Sequence, residues 1–181
     1  SVNGALSVTG VASNYCQGQT LELQAKGDNL ATFQWLDAKG NRTNSSKLSV
    51  SSLERGSTNW SLSQIVNGFE SEKLEVPIYV HETPLLENLV LPKEVYSYVF
   101  QPFSVKLNDS VQHYTWTLPN GWEGSSKTNA ISIKPNALAG ELKVFGTSKF
   151  GCISNELKQS IQLAAVLGIE EQKQDVKIYP N

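Results

Sequence analysis

The feature that most limits the fold is a period of two that occurs twice along the chain. Short alternating runs of apolar and polar residues, TLELQA, ATFQW, KLSVSS, WSLSQIV and SEKLEVPIYV, fill the first half and lapse at ETPLLEN. They begin again with FSVKL, HYTWTL, AISIKP, ELKVFGT and NELKQSIQL. Successive side chains of a strand point to opposite faces, so each run reads as a strand with one buried face. Turn residues such as those of DAKGN separate the runs.

The two series can be laid over one another. Placing YCQGQTLEL over VFQPFSVKL pairs Cys16 with Phe100, Leu21 with Val105 and Leu23 with Leu107. FQW over YTW pairs Trp35 with Trp116, and NGFESEKL over FGCISNEL pairs Phe69 with Cys152. Nearly constant offsets across separate strands mean two copies of one plan. The boundary is expected near Thr83 and Pro84, where proline interrupts the pattern, giving units at 1–83 and 84–164 and a remainder at 165–181. Each copy holds about seven short strands, the pattern of an antiparallel β-sandwich. Either is long enough to bury its own core.

Composition removes several classes of function. Charged residues are 18% of the chain and the net charge is −2, with Lys and Arg scattered, so no basic stripe tracks a phosphate backbone and nucleic acid is not an expected partner. No apolar run approaches the roughly 18 residues that a membrane helix requires, so membrane insertion is not expected. The opening SVNGALSVTG lacks the charged-then-apolar order of a signal peptide.

The runs NYCQGQTLELQA, FQWLDAKGN and VNGFES resemble the immunoglobulin-like modules repeated in secreted proteins of Bacteroidetes. YTWTLPNGWEGSSKTNAISIKP and FGCISNEL resemble their PKD-like relatives, and the likeness spans roughly residues 14–163. The resemblance implies an all-β fold of two tandem immunoglobulin-like antiparallel β-sandwiches. The last stretch, LGIEEQKQDVKIYPN, is similar to the opening of the C-terminal sorting domain of type IX secretion cargo. There a Leu-Gly-Ile-Glu start, here Leu167, Gly168, Ile169 and Glu170, leads to a Tyr-Pro-Asn motif, here Tyr179, Pro180 and Asn181. The likeness implies a secreted or surface-exposed protein that continues past Asn181 and meets the type IX export machinery. Residues 168–175 are polar without a hydrophobic stripe, which is linker character, whereas Val176 and Ile178 have the alternation of a strand.

In such modules a cysteine at the start of the second strand commonly bonds one near the end of the sixth. This sequence departs from that, because Cys16 is set against Phe69 and Phe100 against Cys152. The expectation is two reduced, buried thiols, since a bond between them would have to cross from one sandwich to the other. A metal or redox pair lacks any supporting ligand spacing, and no cofactor is implied.

Of the four tryptophans, Trp35 and Trp116 are in phase with apolar neighbours and are expected in the cores. Trp60 and Trp122 are the candidate ligand contacts: Trp60 opens WSLSQIV at a sandwich end, and Trp122 follows the turn Pro119-Asn120-Gly121, where alternation constrains it less. Truncating Trp122 is accordingly expected to cost less than truncating Trp35 or Trp116.

A catalytic set is not legible, and the chain is not expected to be an enzyme. His81 and His113 stand apart from any matching nucleophile and carboxylate and read as surface residues. Glu170 and Glu171 are adjacent in the tail, unlike a pair of glycosidase carboxylates at fixed separation. Asp28, Asp37, Asp109 and Asp175 are too dispersed for calcium, so no metal site is expected. Asn41, Asn44, Asn59 and Asn108 begin N-glycan acceptor triplets that a Ser-rich chain produces by chance, and Asp109-Ser110-Val111 resembles a bacterial O-glycosylation triplet with Ser110 as its acceptor. Two functional classes remain: a spacer joined to upstream domains of the same protein, or a module that binds glycan or protein through its loops.

Overall fold

The computed structural model describes residues 4–165. Fifteen strands and no helix occur among them. The first nine are β1 (Ser7–Thr9), β2 (Tyr15–Cys16), β3 (Leu21–Lys26), β4 (Thr32–Leu36), β5 (Arg42–Asn44), β6 (Lys47–Val50), β7 (Gly56–Val66), β8 (Phe69–Glu70) and β9 (Leu74–His81). The rest are β10 (Leu89–Val90), β11 (Gln101–Val105), β12 (His113–Thr117), β13 (Ala130–Ile133), β14 (Gly140–Thr147) and β15 (Leu157–Ile161).

Pairing follows one scheme in both halves. The sheet β1-β3-β6 corresponds to β10-β11-β13, and the core of the sheet β2-β9-β7-β4-β5 corresponds to β15-β14-β12. No ladder among the described residues joins β1–β9 to β10–β15. The protein is therefore all-β, built of immunoglobulin-like antiparallel sandwiches, and the alternation that predicts them is visible in the burial of β3, where Leu21, Leu23 and Ala25 face inward and their neighbours do not.

The ladders adjust the internal alignment. Leu23 lies opposite Leu48 and Phe103 lies opposite Ile131, so Leu23 corresponds to Phe103. Leu107, which the sequence comparison set against Leu23, lies beyond the end of β11 and is exposed. Slippage of this kind is invisible to a period of two when the shift is an even number of residues, because the inward face is unchanged. The tryptophans do correspond: Trp35 sits opposite Leu62 and Trp116 opposite Val144. Each indole N–H donates to a backbone carbonyl at 2.9 Å, that of Ser45 or of Thr128.

The cores differ. Trp35 is fully buried in one cluster that runs from Tyr15 to Val80 and includes Leu21, Leu48, Leu62 and Ile78. Trp116 is only partly buried and packs against two clusters, one around Phe103, Ile133 and Leu142, the other around Leu86, Tyr114 and Val144.

Candidate functional site

The structure overturns the expectation of two reduced thiols. Cys16 and Cys152 form a disulfide across a Cα–Cα distance of 5.5 Å, well inside the range that such a bond spans. The physical reason is strand direction. The pairing of β2 with β9 places Cys16 beside His81, at the end of β9 that leads to the second sandwich, while the β7–β9 turn that holds Phe69 lies at the opposite end. In the second sandwich the alternation is the same, so Phe100 lies at the far end and the β14–β15 turn with Cys152 lies at the near end. Each cysteine is thus a sandwich length from the phenylalanine set against it, and end-to-end stacking brings the cysteines to each other. Phe69 and Phe100 fill no bridge position: they are 81% and 56% exposed.

Both cysteines sit in closely bonded turns. The Cys16 N–H donates to Gln19 Oε1 at 2.8 Å, its carbonyl accepts from the Gln19 N–H at 3.1 Å, and Gly18 and Gln19 are tied to Leu53 through backbone bonds. Across the joint, Ser148 Oγ accepts from the N–H groups of Phe150 and Cys152 at 3.2 and 3.1 Å, and the Ser148 N–H donates to the Cys152 carbonyl at 2.9 Å. Gly151 adopts a φ of +84° in that turn, a conformation that costs glycine nothing.

Around the bond the two sandwiches touch through rings. His81 stacks on Phe150 with centroids 3.5 Å apart and planes 13° from parallel, and Tyr79 meets His81 edge-on at 4.8 Å. His81 Nε2 is 3.1 Å from Asn14 Oδ1. The crossing segment is held on both sides: Thr83 Oγ1 donates to the Gln17 carbonyl at 3.0 Å, while Leu86 exchanges two bonds with the Asn155 side chain at 2.7 and 3.1 Å. Asn108 Nδ2 donates to the Leu85 carbonyl at 2.9 Å. Beside the rings lies an open cleft of about 550 Å³ lined by Tyr79, His81, Asp109, Ser110, Lys149 and Phe150.

The candidate ligand contacts named from the sequence lie elsewhere. Trp60 is 9% exposed within the first core. Trp122 is 7% exposed within the second, its indole N–H donating to the Leu138 carbonyl at 3.1 Å. The turn before it explains why: the Trp122 N–H donates to the Pro119 carbonyl, Gly121 takes a φ of +80°, and the chain folds the indole back over Ile131 and Ile133. Neither ring presents a face on which a sugar could stack. Ser110 is exposed on the rim of the cleft, and its N–H donates to Asn108 Oδ1 at 2.9 Å. His113 is exposed on β12, whereas His81 is a joint residue and no isolated surface histidine. Leu167, Gly168, Ile169, Glu170, Glu171, Asp175, Tyr179, Pro180 and Asn181 lie outside the described residues.

Sequence reasoning missed Tyr79, Phe150 and the cysteine pairing. The available signal was the parity of strand direction: in stacked sandwiches the turn before the second strand of one faces a late hairpin turn of the next.

Residues 98–162 match the family model described as PKD-like domain. No curated protein sequence matches the chain. Among solved structures, the C-terminal 282-residue fragment of intimin, crystallised with the intimin-binding domain of the translocated intimin receptor, is similar at 9% identity and a TM-score of 0.53, over 89% of this chain and 64% of that one. Fibronectin(III)-like modules of Clostridium thermocellum CbhA align over 88% of this chain and 94% of theirs at 12% identity and a TM-score of 0.48. Bacteroides ovatus SGBP-B, solved with a mixed-linkage heptasaccharide, aligns at 14% identity and a TM-score of 0.35 over 87% of this chain and 48% of that one. At 9% identity the likeness to the intimin fragment shows a shared fold alone. Residues 98–162 are thus similar to a PKD-like domain, and the chain has an immunoglobulin-like β-sandwich fold.

Proposed function

We propose that the chain is a non-catalytic spacer in a secreted or cell-surface protein exported by type IX secretion. In this reading, sandwiches at 1–83 and 84–164 hold upstream domains at a distance, and 165–181 is the linker and start of a sorting domain. The observation that carries the reading is the joint, where a covalent bond, a ring stack and a bonded linker hold two sandwiches end to end. A fixed joint sets a distance, which is what a spacer must do. A disulfide also fits an oxidising compartment outside the cytoplasm. The resemblance of Leu167–Asn181 to a sorting-domain opening supports the export route, with the type IX machinery and the upstream domains as partners.

The test is replacement in the full-length protein. Exchanging residues 4–165 for an unrelated rigid pair of sandwiches of equal length should leave surface delivery and upstream activity intact. Loss of upstream activity with delivery preserved would count against a spacer. Delivery unaffected by substituting Leu167, Gly168, Tyr179 and Pro180 together would count against the export reading.

The cleft favours a second reading, binding of glycan or protein, because Tyr79 is 57% exposed beside Asp109, Ser110 and Lys149. Exposed rings flanked by polar side chains are the usual furniture of a binding site. Glycan-array binding by this chain that disappears in Tyr79→Ala would establish it, and a blank array would remove its glycan arm.

A further inference from the structure

The disulfide encloses almost everything that makes the chain fold. Its two cysteines are 136 residues apart in sequence. Of the residues that form the three buried clusters, all but Tyr15 and Ile161 lie between them. Among the described residues, the strands outside the loop are β1, β2 up to Cys16 itself, and β15. β1 runs from the far end of the first sandwich toward the joint, and β15 runs from the joint to the far end of the second.

We propose that the Cys16–Cys152 bond is a mechanical clamp that carries tension past both sandwiches. The inference rests on the spacer reading for its use, though not for its physics. Tension applied at the two ends of the chain enters along β1, reaches Cys16, crosses the S–S bond and leaves through Cys152 and β15. The ladders of β1 with β3 and of β15 with β14 are loaded first. Once these are stripped, residues 17–151 form a closed loop in parallel with a covalent bond, and the bond rather than the loop carries the tension. Without the bond the same tension passes through both cores in series. In the first sandwich it would act on the short parallel pairing of β2 with β9, Tyr15 with Val80 and Cys16 with His81. It would then enter the second through the linker and β10. Opened chain extends by up to about 3.3–3.6 Å per residue, so opening the sequence separation of 136 between the two cysteines would add roughly 450–490 Å. With the clamp closed, only the short segments outside the loop can lengthen.

The joint protects the clamp. Cys152 is completely buried and Cys16 nearly so, which slows attack by an external thiol, since exchange requires access to a sulfur. Reduction by dithiothreitol passes two electrons and two protons to the protein, giving two thiols, and closes the reagent to its own cyclic disulfide.

Single-molecule stretching of the whole chain, tethered at its two termini, tests this. The oxidised protein should show no release from residues 17–151, whereas a variant carrying both Cys16→Ser and Cys152→Ser should release the additional roughly 450–490 Å. Should that variant fail to fold, the unaltered protein held under tension while dithiothreitol is added should gain the same length after reduction. Release of that full length by the oxidised protein would overturn the clamp, as would equal extension before and after reduction. These outcomes are separable from the spacer reading, which fails instead if an equal-length replacement abolishes upstream activity while the clamp measurement still succeeds.

Discussion

The two sandwiches share a strand order and differ in how they close their cores. In the first, a fully buried Trp35 unites a single cluster, and the accessory strands β2, β5 and β8 extend one sheet. In the second, Trp116 is only partly covered and stands between two clusters, while Trp122, outside every strand, fills the space from a turn. One binary pattern thus supports two packings. The central indole of the first is set by alternation, and the best-covered indole of the second by local turn chemistry.

The largest expected effect tests whether the halves behave as one unit. In the chain-entropy account, a loop closed across a sequence separation of 136 raises stability by about 5 kcal/mol relative to the open chain. Cys16→Ser with Cys152→Ser should therefore lower the denaturant midpoint and separate one unfolding transition into two. A single unchanged transition in calorimetry would mean that the interface without the bond suffices.

Next come the indoles. Trp35→Ala should cost about 3–5 kcal/mol, as should Trp122→Ala, because both rings are enclosed. Trp116→Ala should cost clearly less, reversing the order read from the sequence. Chemical denaturation of the three variants checks it, and a Trp122 loss smaller than the Trp116 loss would restore the earlier ranking.

Turn chemistry gives a smaller effect. Gly121 has a φ of +80°, and a Cβ there would meet Asn136 Nδ2 at 2.5 Å. Gly121→Ala should cost about 1–2 kcal/mol from the left-handed backbone alone. The loss should appear in the second sandwich's transition once the disulfide is removed, and its appearance in the first would break the comparison.

The smallest concerns a turn particular to the first sandwich. The Asn41 side chain donates to Asp37 Oδ2 at 2.7 Å, and this bond first, then the N–H groups of Asn41 and Lys39, holds the carboxyl of Asp37 below its ordinary value of 3.8. A depressed folded value means that the contribution is present above the unfolded value and is lost as pH falls through the folded one. An NMR titration of Asp37 should show a midpoint below 3.8, moving upward in Asn41→Ala. An unchanged midpoint would remove Asn41 as the cause.

Much of this protein was legible without coordinates. The period of two specified strands and their inward faces, and the paired tryptophans identified equivalent positions, because alternation and aromatic spacing are local properties of the chain. Which residues meet at a distance was not legible. Register moved along β11 without changing a face, so Leu107 stood in for Phe103. Trp122 was read as available because no strand claims it, yet a turn buries it. The cysteines were set against phenylalanines because alignment compares positions within a repeat and says nothing of which end of a sandwich they occupy. Strand direction sends the turn before β3 to one end and the β14–β15 turn to the other end of its own sandwich, and only the stacking of one on the next brings Cys16 within bonding distance of Cys152.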